Sequence, residues 1–148
     1  MSILILALAL AQRPAGPRAE TADPCPVFAR LIAAAQERPA FASIRRALAD
    51  GRAVVPGFDA ADCRIERGGA FECSYRGMGA HGYPYWREPV SCPGLSALPR
   101  SPQSFRRAFG FAAPGGLQIT YGVHCFQCAG PGTAWFRIGP RNGREPEE

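Results

Sequence analysis

Cys63 and Cys73 flank the run Arg67-Gly68-Gly69, and the residues between them suit one arrangement, a β-hairpin. Taking those three residues as the loop sets Glu66 opposite Ala70, Ile65 opposite Phe71, Arg64 opposite Glu72 and Cys63 opposite Cys73. Because side chains alternate along a strand, Cys63, Ile65, Phe71, Cys73 and Tyr75 then share one face. Arg64, Glu66, Glu72 and Ser74 share the other, with Arg64 and Glu72 as a cross-strand charge pair. A Cys63–Cys73 disulfide follows from this register. Closing a loop of that size stabilises a fold by about 2.7 kcal/mol in the chain-entropy description.

The remaining cysteines extend the argument to the whole chain. Six cysteines in 148 residues form an even set, as in small exported domains built on disulfides, whereas cytosolic thiols stay reduced. Residues Ile3 to Ala11 read ILILALALA, an uncharged apolar run of the kind found at the centre of a secretory signal peptide. It falls well short of the roughly 20 apolar residues that span a bilayer. Ala9 and Ala11 suit a cleavage site, so residues 1–11 read as a signal peptide and residues 12–23, rich in Pro, Ala and Arg, as a linker. Only Met1 and Ser2 precede the apolar run, so the usual basic leader is missing. The expected location is periplasmic or secreted, with no membrane span after cleavage.

Two helices should follow the linker. Asp23-Pro24 is a helix start, because Asp accepts hydrogen bonds from free amides and Pro at the first position gives up none. Behind it, Cys25, Phe28, Leu31, Ile32 and Ala35 recur at spacings of three and four and form one apolar stripe. Pro39 ends this helix and opens a second, with Phe41, Ile44 and Leu48 on one face and Gly51 as its stop. From Gly77 to Gly116 the chain is rich in Gly and Pro and reads as a long ordered loop. Within it, Ser101-Pro102 and the Phe105, Phe109 pair predict a short helix over about Pro102 to Phe109. Leu117 to Val123 and Thr133 to Ile138 then alternate apolar and polar residues as two half-buried strands. The last residues, 140–148, read as a polar tail, leaving 24–139 as a single domain.

Charge excludes some functions. The formal charge is +5, yet all seventeen basic residues are Arg, and only Arg45-Arg46 and Arg106-Arg107 are adjacent. No continuous basic stripe suits a phosphate backbone, so no nucleic-acid partner is expected. Without a single Lys, the chain can run neither Schiff-base nor P-loop chemistry.

The sharpest candidate for chemistry is Cys125-Phe126-Gln127-Cys128, a C-x-x-C pair. In thiol–disulfide enzymes such a pair opens a helix whose N-terminal amides lower the thiol pKa. Here Ala-Gly-Pro-Gly and a strand pattern follow it instead. Cys25, Cys92, Cys125 and Cys128 together could supply four thiolates to zinc, but structural zinc sites use two close-spaced pairs, and Cys25 and Cys92 stand apart. Structural disulfides are the reading adopted, with no cofactor and no metal. Helix and strand parity favour Cys25–Cys125 with Cys92–Cys128, and Cys25–Cys92 with Cys125–Cys128 is the rival pairing. His124 precedes Cys125 directly, and strand neighbours point to opposite faces, so the imidazole is poorly placed as that thiol's base. Tyr83, Tyr85, Trp86 and Arg87 could present an aromatic surface to a protein partner.

The expected fold is α+β: two N-terminal helices and one short helix on an antiparallel sheet of about four strands, stapled by disulfides. The expected function is that of an exported non-enzymatic binding or accessory protein. The alternatives are a redox protein using Cys125 and Cys128, or a Cys-ligated zinc protein.

Overall fold

A computed structural model of the chain describes residues 23–77, 90–99, 106–124 and 132–141. Two helices, α1 (Cys25–Ala35) and α2 (Ala42–Ala49), pack on a six-stranded antiparallel sheet. Its strands are β1 (Cys63–Ile65), β2 (Phe71–Gly77), β3 (Ser96–Ala97), β4 (Arg106–Ala113), β5 (Leu117–His124) and β6 (Gly132–Pro140). Their order across the sheet is β1-β2-β6-β5-β4-β3, so the last strand in sequence inserts between β2 and β5.

The hairpin adopts the predicted register throughout. Cys63 pairs with Cys73, Arg64 with Glu72 and Ile65 with Phe71. The loop closes with the Gly69 N–H donating to the Glu66 carbonyl at 3.1 Å and the Glu66 N–H donating to the Ala70 carbonyl at 2.7 Å. This three-residue turn needs a left-handed residue at its third position, and Gly69, at φ 78°, supplies it without a Cβ clash. Counting pairs from that closing bond places Cys63 and Cys73 at a non-hydrogen-bonded position, where strands approach most closely. Their Cα atoms are 4.0 Å apart and the disulfide is formed.

Both helices bury the stripes their sequences carry. In α1, Phe28, Leu31 and Ala34 are buried, and Val27, Ile32 and Ala35 pack at the margin. The helix starts one residue later than expected, with Pro24 and not Asp23 at the N-cap; Asp23 Oδ1 still accepts the Cys25 N–H at 3.0 Å from the position before it. Phe41 sits just ahead of α2 at φ 60° and is fully buried against Phe71, with 6.0 Å between ring centroids. A phenylalanine in the left-handed region is uncommon, and packing on this scale offsets the backbone cost. Glu37 reaches forward to accept the Ser43 N–H at 2.8 Å, and hydrogen bonding from Ser43 holds its carboxyl below the ordinary value.

On the sheet, Phe71, Cys73, Phe109, Phe111, Ile119, Tyr121, Phe136 and Ile138 all belong to the buried core. Residues of the opposite parity, such as Glu72, Thr120 and Arg137, are only half-buried. One face therefore meets the helices, while the other has no helix on it among the described residues.

Two expectations about the middle of the chain are corrected. The sheet has six strands, not about four, and the end of the expected third helix is strand: Arg106 to Phe109 open β4, while 100–105 lie outside the described residues. Phe105 and Phe109 mimic a helical spacing, but Phe109 and Phe111 carry the strand parity and both are buried. An eight-pair ladder with β5, from Arg106 opposite His124 to Ala113 opposite Leu117, overrides the local signal. At the far end, β6 runs through Pro140, and the Arg141 N–H donates to the Gly116 carbonyl at 3.0 Å.

Two stability outcomes follow. A Cβ added at Gly139 would stand 2.6 Å from the Ala70 Cβ and 3.1 Å from its Cα, so Gly139→Ala should cost about 1–3 kcal/mol in urea unfolding. Replacing Cys25 and Cys92 together by Ala opens a loop with a sequence separation of 67 and should cost about 4 kcal/mol by the same measurement.

Candidate functional site

The segment 90–99 crosses back toward α1, and three interactions fix it. The Val90 N–H donates to the Tyr121 hydroxyl at 3.2 Å, Cys92 is bonded to Cys25 with their Cα atoms 5.4 Å apart, and Ser96 and Ala97 pair with Ala112 and Phe111 of β4. Tyr121 is fully buried, and that burial pushes its hydroxyl pKa up, offset in part by the Val90 N–H. The favoured Cys25–Cys125 pairing is thereby overturned. Parity along β5 is a local argument, whereas the partner of Cys25 is decided by where the chain returns after a long excursion. With Cys25 and Cys92 spent on each other, the four-thiolate zinc set loses half its ligands. Among the described residues, no group of three or more His, Cys, Asp or Glu side chains is gathered around a point where a metal could sit.

Beside this strap lies an apolar cleft between Val27 and Phe28 of α1, Val55 and Pro56, and Tyr121, with Asp23 at its rim. Its empty space, counted out to open solvent, is about 320 Å³. Its lining is almost wholly apolar, so it lacks the convergent polar groups with which ligand sites hold their occupants.

The other sheet face is chemically richer. Arg64 stands opposite Glu72, and Glu72 opposite Arg137, giving a row of alternating charge across β1, β2 and β6. Arg64 Nη2 lies 2.9 Å from Glu72 Oε1, and Arg137 Nη2 lies 3.4 Å from Glu66 Oε2. Arg64 is 68% exposed, so its pairing is screened and contributes little. Burial is the first cause pushing the Glu72 carboxyl up, followed by a hydrogen bond with Glu66, and the Arg64 and Arg137 charges offset these only in part.

Other residues singled out by the sequence fall elsewhere. Tyr83, Tyr85, Trp86 and Arg87, and Cys125 and Cys128, lie outside the described residues. Their attachment points are described: β2 ends at Gly77, β5 at His124, β6 begins at Gly132 and β4 at Arg106. Gly77 is paired with Gly132, and His124 with both Thr133 and Arg106, so the segments 78–89, 100–105 and 125–131 all join one end of the sheet. At that end the register puts Arg76, Thr133, His124 and Arg106 at successive paired positions, with Trp135 in the next row. No signal in the sequence links these residues, because the row runs across four strands. Only the register assembles it.

No protein-family model matches the chain, and no curated protein or solved structure matches it either.

The raised Glu72 carboxyl generates a pH prediction. A carboxyl whose folded pKa is raised binds its proton more tightly in the native state, so its contribution to stability is fully present below the unfolded value and is lost as pH rises through the folded one. Glu72→Gln removes that titration. The melting temperature of this variant should gain on the parent between about pH 4 and pH 7. A variant that loses ground over the same range would show that the Arg64 pair outweighs burial.

Proposed function

We propose that the chain is an exported, non-enzymatic binding or accessory protein that works through a protein partner. The observation carrying this reading is the pair of disulfides, Cys25–Cys92 and Cys63–Cys73, which draw on cysteines from both helical and strand regions. Such bonds persist outside a reducing cytoplasm. They agree with the signal-peptide reading of residues 1–11 and with the even cysteine count. Among the described residues no helix is long and apolar enough to cross a membrane. Further support comes from the architecture. A sheet with one face packed and one face open provides a rigid platform, and the long segments that join one end of it are the usual carriers of recognition. Tyr83, Tyr85, Trp86 and Arg87 belong to one of those segments and supply the residue types that dominate interface energies.

The rival reading, a thiol–disulfide protein using Cys125 and Cys128, makes a different demand on the cysteines. Intact mass of the exported protein, with alkylation before and after reduction and with peptide mapping, separates the two. The binding-module reading expects an N-terminus near Gln12, no alkylation without reductant, and all six cysteines alkylated after it. A Cys125–Cys128 bridge that opens under mild reductant while the other two persist would favour the redox protein.

A further inference from the structure

The strand β2 outlasts its neighbour on one side. Phe71, Glu72 and Cys73 pair with β1, whereas the whole strand, through Gly77, pairs with β6. From Ser74 onward the outer edge of β2 therefore has no strand beside it among the described residues. The cause lies in the chain just ahead of β1. Residues Ala60–Asp62 form a 3-10 turn, in which the Asp59 N–H donates to Asp62 Oδ2 at 2.9 Å and the Asp62 N–H donates to the Asp59 carbonyl at 3.0 Å. Continued pairing would set Asp62 opposite Ser74. The Asp62 amide is instead spent inside the turn, and the backbone leaves the sheet at that point.

Register identifies the backbone groups left without a strand. The Glu66 N–H bonds the Ala70 carbonyl, so two pairs along the hairpin Arg64 and Glu72 again occupy a hydrogen-bonded position. By alternation, Ser74 and Arg76 aim their N–H and C=O toward the same outer edge as Glu72, while Tyr75 and Gly77 aim theirs at β6. Ser74 and Arg76 are both exposed and make no backbone hydrogen bond on that edge among the described residues. Two donors and two acceptors thus lie along four residues, a length of about 13 Å. Native sheets blunt such edges with Pro, bulges or charge, and the stretch from Ser74 to Gly77 carries only the charge of Arg76.

An edge of this kind selects its occupant by backbone chemistry. A phosphate backbone or a lipid surface offers no alternating amide donors and carbonyl acceptors, whereas an extended peptide does and adds as a further strand. A second copy of the chain is the poorer source, because it brings the same formal charge of +5 to the same edge.

We propose that β2, from Ser74 to Gly77, takes up an extended segment of a partner protein as an added strand lying end to end with β1. The inference rests on the binding-module reading and names how the partner is held.

The test selects random peptides of about nine residues, displayed on phage, against the oxidised protein, and follows amide hydrogen exchange of the protein with the tightest of them bound. The Ser74 and Arg76 amides should exchange fast in the free protein and become protected in the complex, while the Tyr75 amide stays slow in both. Binding should fall by about fivefold or more in R76P, which removes one edge donor, and stay within about threefold of the parent in R76Q, which keeps it. Because that amide faces outward, R76P should melt close to the parent. Should it unfold, the exchange pattern of the parent decides alone. The proposal is overturned if no binding peptide is recovered, if the protected amides lie elsewhere, or if a folded R76P binds as well as the parent. It is overturned equally if sedimentation shows a dimer that R76P abolishes, since a second copy would then fill the edge. Any of these results removes the added strand and leaves the binding module, which the bridges carry. Free thiols holding a metal would remove the binding module whatever the peptides do.

Discussion

One apolar sheet face has to be kept from water, and the described residues include only two short α-helices with which to cover it. The helices α1 and α2 have eleven and eight residues, against six strands. Phe28 of α1 lies over Tyr121 and Phe136, at centroid distances of 5.9 and 5.8 Å, and Phe41 covers Phe71. That accounts for the middle of the sheet and the β2 side. Cover for the rest comes from irregular chain. Val54, Val55 and Phe58 are buried without belonging to a helix or strand, and Val90, Cys92 and Leu95 pack against the same core. Irregular segments hold such positions poorly on their own, because each ordered residue costs about 1–2 kcal/mol of backbone entropy. Anchors offset that cost. The Arg30 guanidinium on α1 donates to the Val54 carbonyl, and the Cys25–Cys92 bond and the Val90–Tyr121 hydrogen bond hold the second segment.

The same constraint explains what could be read from the residues in advance. The β1–β2 hairpin was legible down to its register because turn chemistry, two-residue alternation, a charge pair and a thiol pair all specify one answer within a dozen or so residues. The strands β5 and β6 were legible by alternation alone, since Leu117, Ile119 and Tyr121, and Ala134, Phe136 and Ile138, all face the core. Local agreement of this kind fails where pairing is long-range. In β4, the Arg106-Arg107 pair and the small residues at 108, 110 and 112 blur the alternation, and Ser101-Pro102 offers a helix start that competes with it. The two residues of β3 carry no periodicity at all and are defined only by their partners Ala112 and Phe111. The partner of Cys25 was hidden for the same reason.

Charge shows the distinction again, now on the surface. In the sequence the arginines are dispersed, and dispersion argued against a nucleic-acid partner. Folding keeps most of them dispersed and pairs several: Arg64 with Glu72, Arg137 with Glu66, Arg52 with Asp50. Arg76 and Arg106, thirty positions apart in sequence, become ends of one row because β6 inserts between β2 and β5. Had β6 paired at the sheet edge, Arg76 and His124 would not share a row with Thr133 between them. Topology therefore decides which charges act together, and no one-dimensional count of charge can anticipate it.

The two ends of the sheet differ in a way that follows from connection length. At one end, β1 turns into β2 through Arg67 to Gly69, and β4 into β5 through Pro114 to Gly116; these are tight loops whose glycines accept positive φ and leave few side chains to vary. At the other end the connections are longer: eighteen residues from 78 to 95, eight from 98 to 105 and seven from 125 to 131. In the sequence, His81 and the Tyr-Pro-Tyr-Trp run fall in the first of these connections, the C-x-x-C pair falls in the last, and His124 precedes that last one. Arg76, His124 and Trp135 lie where the strands of the sheet meet the long connections.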